Sequence, residues 1–228
     1  MMCAATRAFT ALLVLFLVGC KTNVTVDLNY TDLARAAASA NEKPVARVVM
    51  AIQIPSDKEC DKYTPKVVQV MAGVVKDFTL KGCTKKQMES YLLGEVQVPV
   101  VTQDAWQAAD ALFSVIVNHG WAFFAMDLDK FKVVNDRMRK EFHQALKVGE
   151  ATFTIMLHND GRQAQTYSVM YTLVDGQPFV SIGNFELKRR AKVKLELSNV
   201  ASRYLAKHGR VPVLMPHRQG VPLLLKKG

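Results

Sequence analysis

Thr152-Phe153-Thr154-Ile155-Met156-Leu157-His158-Asn159-Asp160-Gly161 is the stretch that decides the fold class. From Thr152 to His158 the residues alternate Thr, Phe, Thr, Ile, the period of a half-buried strand. Asn159-Asp160-Gly161 then supplies the residues of a hairpin turn. Gln165 to Val174 returns as a strand, Asp175-Gly176 makes a second turn, and Phe179 to Ile182 and Glu186 to Leu197 continue the sheet. The C-terminal part therefore reads as an antiparallel, hairpin-rich sheet.

Toward the N-terminus the pattern is mixed. Val24 to Tyr30 alternates and predicts a strand, and Thr31 or Asp32 caps a short Ala-rich helix from Leu33 to Ala40. Val45 to Ile54 predicts a second strand, stopped by Pro55, and the polar segment Ser56 to Tyr63 reads as a loop carrying Cys60. Pro65 suits a first helical turn and starts a helix through Lys76. Glu95 to Val101 is a strand. Asp104 caps a helix over Ala105 to Asn118, where Trp106, Ala109, Leu112, Phe113 and Ile116 form one stripe and His119-Gly120 ends it. Trp121 to Met126 is a strand, and Asp129 caps a helix reaching Leu146. The chain is read as α+β, a mixed strand–helix N-terminal part followed by the antiparallel sheet.

Beyond the sheet, Ser198 or Asn199 caps a helix from Val200 to Lys207, ended by Gly209. Residues 211–228 hold Pro212, Pro216 and Pro222 and read as an extended basic arm or an edge strand. Val24 to Val45 and Lys192 to Val213 both run strand, cap, short helix, Pro-Val, a weak internal echo.

Half of the 228 residues are hydrophobic, which argues against disorder and leaves ample chain for a core. Residues 20–228 are read as one α+β domain with a sub-boundary near residue 149. The net charge of +10 is unevenly placed. From Lys188 to Gly228 there are eleven Lys and Arg against one acid, Glu196, whereas residues 1–187 hold nineteen of each sign. Such asymmetry marks a polyanionic partner, with Lys188, Arg189, Arg190, Lys192 and Lys194 as the contact residues. The alternative is a solvated strand face, since Val193, Leu195 and Leu197 alternate with Lys192, Lys194 and Glu196.

The first twenty residues give an address. Arg7 precedes an apolar run from Ala8 to Val18, too short to cross a bilayer, and the run ends in Leu17-Val18-Gly19-Cys20. This resembles the type II signal peptide and lipobox of bacterial lipoproteins. The resemblance implies cleavage between Gly19 and Cys20, removal of residues 1–19, and acylation of Cys20. If the host is Gram-negative, Lys21 at the next position, rather than Asp, implies the outer membrane with the protein facing the periplasm. After the leader, Cys60 and Cys83 remain as an even pair. In an oxidising compartment that suggests a disulfide, the alternative being two buried thiols.

Met126-Asp127-Leu128-Asp129-Lys130-Phe131-Lys132-Val133-Val134-Asn135-Asp136 resembles a segment of diguanylate cyclase domains. That likeness implies a metal at Asp127 and a guanine contact at Asn135. The family's Gly-Gly-Asp/Glu-Glu-Phe hairpin and its substrate-side segment are missing. None of His119, His143, His158, His208 and His217 sits at zincin spacing, and there is no Gly-x-Ser-x-Gly elbow and no phosphate-binding Gly-rich loop. A basic segment with Tyr204 as its one aromatic residue does not suit nucleic acid. The expectation is therefore a protein without cofactor or enzymatic activity. The alternatives are a metal-dependent periplasmic hydrolase or nucleotidyl enzyme using Asp127 and Asp129, and a subunit of an envelope assembly.

Asp175-Gly176-Gln177-Pro178, Gly183-Asn184-Phe185, Leu197-Ser198-Asn199-Val200 and Gly209-Arg210-Val211-Pro212-Val213, together with the lipobox, look like small lipoproteins of tailed phages and prophages. That likeness implies a role at the host envelope during infection or lysogeny, such as superinfection exclusion.

Overall fold

Val24, Val26 and Leu28 are buried and alternate with half-exposed Asn23, Thr25 and Asp27, and this period of two builds strand β1 (Thr22–Asn29). The computed structural model describes residues 22–39, 41–143, 145–179 and 183–216. Cys20, Gly19 and the rest of the leader lie outside them, as does the arm beyond Pro216.

The chain continues through α1 (Tyr30–Ala38), β2 (Val45–Ile54), α2 (Cys60–Met71), β3 (Thr79–Lys86), β4 (Glu89–Thr102), β5 (Phe113–Asn118), β6 (Trp121–Met126) and α3 (Leu128–Phe142). It then runs through β7 (Thr152–His158), β8 (Gln165–Val169), β9 (Thr172–Val174), β10 (Gln177–Phe179), β11 (Gly183–Leu187), β12 (Lys192–Leu197), α4 (Asn199–His208) and β13 (Arg210–Pro216). Helices and strands are both present, strand dominates, and the α+β class holds.

The strands form one mixed sheet ordered β10-β9-β12-β7-β1-β2-β4-β5-β6-β13-β8-β11, with β3 paired to β4 beside this path. The pairs β1–β7 and β4–β5 are parallel and the others antiparallel. Only Met170 and Tyr171 separate β8 from β9, so a short backbone link joins the two ends of the path and the sheet curls back on itself. Tyr171 takes the left-handed conformation (φ 56°) at that corner. The core fills the curl: Phe124 of β6 meets Phe153 of β7 at 5.6 Å between ring centroids and stacks on Phe113 of β5 at 5.5 Å. The turn near residue 149 does not divide the sheet, because β7 beyond it pairs in register with β1 before it.

Several expectations are corrected. The hairpin at Asn159-Asp160-Gly161 does not form: β7 inserts between β1 and β12, whereas β8 pairs with β11 and β13. Between β1 and β12 both edges of β7 are hydrogen-bonded. The second turn does form a hairpin, Asp175 and Gly176 both having positive φ between β9 and β10. The helix over Ala105 to Asn118 is instead a 3-10 turn at Gln107–Ala109 followed by β5. Five of the six β5 residues are buried, so both faces are apolar and periodicity alone does not separate strand from helix. His119-Gly120 is then the two-residue turn of the β5–β6 hairpin, with φ of 47° and 80°. Helix α2 starts at Cys60, ahead of Pro65, after a 3-10 turn at Asp57–Glu59 that Ser56 caps by accepting from the Lys58 amide at 3.2 Å. Strand β3 was not anticipated.

Val211 to Pro216 is not an edge or a free arm. It pairs with β6 on one side and β8 on the other, with a register shift between Pro212 and Leu214 that accommodates the proline. The internal echo holds only in element order. β1 and β2 are neighbours, but β12 and β13 are not.

Candidate interaction surface

The sheet has two ends, which strand register defines. Thr22 is level with Ile52 on β2 and, through it, with Leu92 on β4. At the other end Asn29 is level with His158, which is level with Lys192. Seven residue steps of strand separate the ends, about 23 Å.

The basic turn lies at the Asn29 end. Lys188, Arg189 and Arg190 are exposed in the connection between β11 and β12, and Lys192 is exposed at the start of β12. Arg190 takes a positive φ (62°), closing a turn in which the Ala191 amide donates to the Lys188 carbonyl at 3.1 Å. Buried Asn159 holds this turn in place. Its side-chain amide donates to the carbonyls of Gln163 at 2.8 Å and Leu187 at 2.9 Å, and its side-chain oxygen accepts from the Gly161 amide at 3.1 Å. Its backbone exchanges hydrogen bonds with Ala191 (2.9 Å) and Arg190 (2.8 Å). The segment read as a hairpin turn is thus a clamp, and it brings exposed Arg162 into the loop joined to the basic turn. Asp160 in the same loop accepts from the Thr31 amide at 2.9 Å and from the Thr31 hydroxyl. Burial works against its charge, but the Thr31 donors prevail and hold its carboxyl below the ordinary value.

Among the described residues Lys188, Arg189, Arg190, Lys192 and Arg162 have no acid within ion-pair distance. Lys194 differs, because its ammonium contacts Glu196 at 2.6 Å. The outer face of the sheet is also self-neutralised. Arg47 pairs with Asp27 at 2.7 Å and Glu95 at 3.9 Å, and Lys81 reaches Glu95 at 3.5 Å. The turn thus gathers four unpaired cations within five residues, Lys188, Arg189, Arg190 and Lys192. The +10 of the last fifth of the chain is not one patch: Arg203 and Lys207 sit on α4, which follows the opposite end of β12.

The Asp127 motif is brought to a different use. Asp127 caps α3, its side-chain oxygen accepting from the amides of Asp129 (3.0 Å) and Lys130 (2.9 Å). Asp129, expected as the cap, is exposed in the first turn. Asn135, the position of the guanine contact, accepts from the Leu146 amide at 2.7 Å and ties down the chain after α3. Asp127 lines an open cleft of about 260 Å³ with Trp106, Asp110 and His208. There the ammonium groups of Lys130 and Lys76 hold the Asp110 carboxyl down to about 2. No group of three metal-ligating side chains occurs among the described residues.

Cys60 and Cys83 form a disulfide with Cα atoms 6.0 Å apart, joining α2 to β3. No helix among the described residues is long and apolar enough to cross a membrane. Sequence reasoning missed Asn159 and Arg162, since only the pairing of segments 28 residues apart gives either a place in the turn. A family model described as a domain of unknown function (DUF7424) matches residues 22–219. No curated protein and no solved structure matches the chain.

Proposed function

The chain belongs to the DUF7424 family, and for it we propose a lipid-anchored, non-enzymatic binding role in the bacterial cell envelope. Acylated Cys20 holds the protein, in the outer membrane facing the periplasm in a Gram-negative host. Its basic turn meets an anionic envelope component or an acidic surface of an envelope protein. The likeness to phage lipoproteins would set that role at the host envelope during infection or lysogeny. The observation that carries the reading is the set of unpaired cations at Lys188, Arg189, Arg190 and Lys192, held on a clamped turn at the end of the sheet remote from Thr22. A protein tethered two residues before Thr22 presents that end away from its own membrane.

The test has two arms. The full chain and Cys20→Ala are expressed in a Gram-negative host with clickable palmitate, and the membranes are fractionated. Label on the wild type alone, in the outer membrane, is the expected result, and label-free protein in the cytosol overturns the anchor. Envelope extract is then captured on the wild type and on Arg189→Glu/Arg190→Glu. Capture should fall with rising salt and with charge reversal, because exposed charges are screened within about 10 Å at 0.1 M salt. Salt-insensitive capture overturns the basic turn as the contact.

A further inference from the structure

The β3–β4 hairpin ends in Lys85-Lys86-Gln87-Met88, and Met88 is 95% exposed, the most exposed large apolar side chain among the described residues. Lys86 pairs with Glu89 across a two-residue turn in which Gln87 takes a positive φ of 55°. Lys85 and Lys86 are exposed and have no acid within ion-pair distance among the described residues. The fold gives Met88 no packing partner that would account for an apolar residue at this tip.

Register gives the tip its place. Thr22 is level with Leu92, and Met88 lies four residues beyond Leu92 in the direction in which β1 runs back toward its start. That is about 13 Å past Thr22 along the strand axis. Cys20 precedes Thr22 by two residues, and a fully extended chain carries it at most about 7 Å. The hairpin tip therefore extends beyond any level Cys20 can reach along that axis. It is also stiff: Cys83 is level with Leu92 and is bonded to Cys60 of α2.

We propose that the β3–β4 tip is a second membrane contact, with Met88 in the interfacial layer of the bilayer that holds the acyl chains and Lys85 and Lys86 on anionic phospholipid headgroups. This rests on the lipid-anchor reading above. The acyl chains on Cys20 supply attachment, and a basic, apolar element at the tip adds a second point of contact with the same bilayer. It also fixes orientation, standing the strands toward the membrane and turning the Lys188 to Lys192 end outward.

The experiment uses full-length protein labelled on Cys20 and reconstituted into vesicles of phosphatidylethanolamine and phosphatidylglycerol with brominated acyl chains. Met88→Trp places a contact quenching probe at a position with no packing role, and Arg189→Trp places the same probe at the far end. The fluorescence added by Met88→Trp should fall by about half, and that added by Arg189→Trp should not change. Lys85→Glu/Lys86→Glu in the Met88→Trp background should cut the quenching about twofold in these vesicles and leave it unchanged in neutral phosphatidylcholine. Labelled, vesicle-bound protein with no quenching at position 88, or with equal quenching at position 189, overturns the second contact alone. Protein without label that stays in the supernatant overturns the anchor and this inference with it.

Discussion

At the end of the sheet where the described chain begins, α2, α3 and α4 close the core and a disulfide ties α2 to β3. At the other end α1 and a set of turns do so, and the turns are held by Asn159 and Asp160 through hydrogen bonds. The first end carries the exposed apolar tip at Met88, and the second carries cations without partners at Lys188 to Lys192. The difference is chemical as well as spatial. A covalent link and buried apolar side chains hold a surface whatever the ionic strength. A hydrogen-bonded clamp holds a turn whose charge depends on its solvent for stability and is available to a partner. The covalent hold and the hydrogen-bonded hold have been separated along one strand length.

Little of this separation was legible in the sequence. The alternating strands were: β1, β2 and β6 have one buried and one open face or a clear flanking turn, and a period of two follows from that, whereas the strand read over Glu186 to Leu197 is broken by the Lys188 to Ala191 turn into the end of β11 and β12. β5 was not, because burial on both faces erases the alternation and leaves an apolar stripe that also fits a helix. The partners of β7 were not legible either. Hairpin turn residues predict local pairing, and here a parallel neighbour 129 residues earlier prevails, with Asn23 opposite Thr152. The candidate site suffered the same way. Charge counting found the five cations from Lys188 to Lys194, but it could not divide the last fifth of the chain between two ends, nor cancel Lys194 against Glu196. Asp127 and Asn135 matched a catalytic pattern at the level of residue types, while the fold uses both as hydrogen-bond acceptors for backbone amides.

The largest expected effect tests the covalent end. Cys60→Ser/Cys83→Ser removes a link that closes a 23-residue separation, and the loss on the entropic model is about 3 kcal/mol. Urea unfolding of the two proteins measures it. A loss below about 1 kcal/mol would mean that the helices alone hold this end, and the contrast with the clamped end would disappear.

Next comes the clamp. Asn159→Ala leaves the carbonyls of buried Leu187 and of Gln163 without their donor and the Gly161 amide without its acceptor, at a cost of about 2 kcal/mol. Amide hydrogen exchange sharpens the comparison. Gly161 and Arg190 should exchange faster, while amides of α2 and β3 keep the pattern of the wild type. Uniform acceleration would show that the two ends unfold together rather than being held separately.

The smallest effect belongs to Asp127 and separates a cap from a metal ligand. Asp127→Ala removes the acceptor for two amides at the start of α3, a loss of about 1 kcal/mol. Asn caps a helix about as well as Asp but brings no carboxylate, so Asp127→Asn should melt within about a degree of the wild type. Adding magnesium or manganese should move none of the three melting temperatures. A metal-dependent rise in the wild type that Asp127→Asn abolishes would instead restore the hydrolase or nucleotidyl reading. The cleft beside Trp106 and His208 would then be the place to look for substrate. Without that rise, Asp127 acts on the fold alone: it starts the helix whose Val134 and Met138 are buried against the core, and so helps to close the end of the sheet from which the chain sets out.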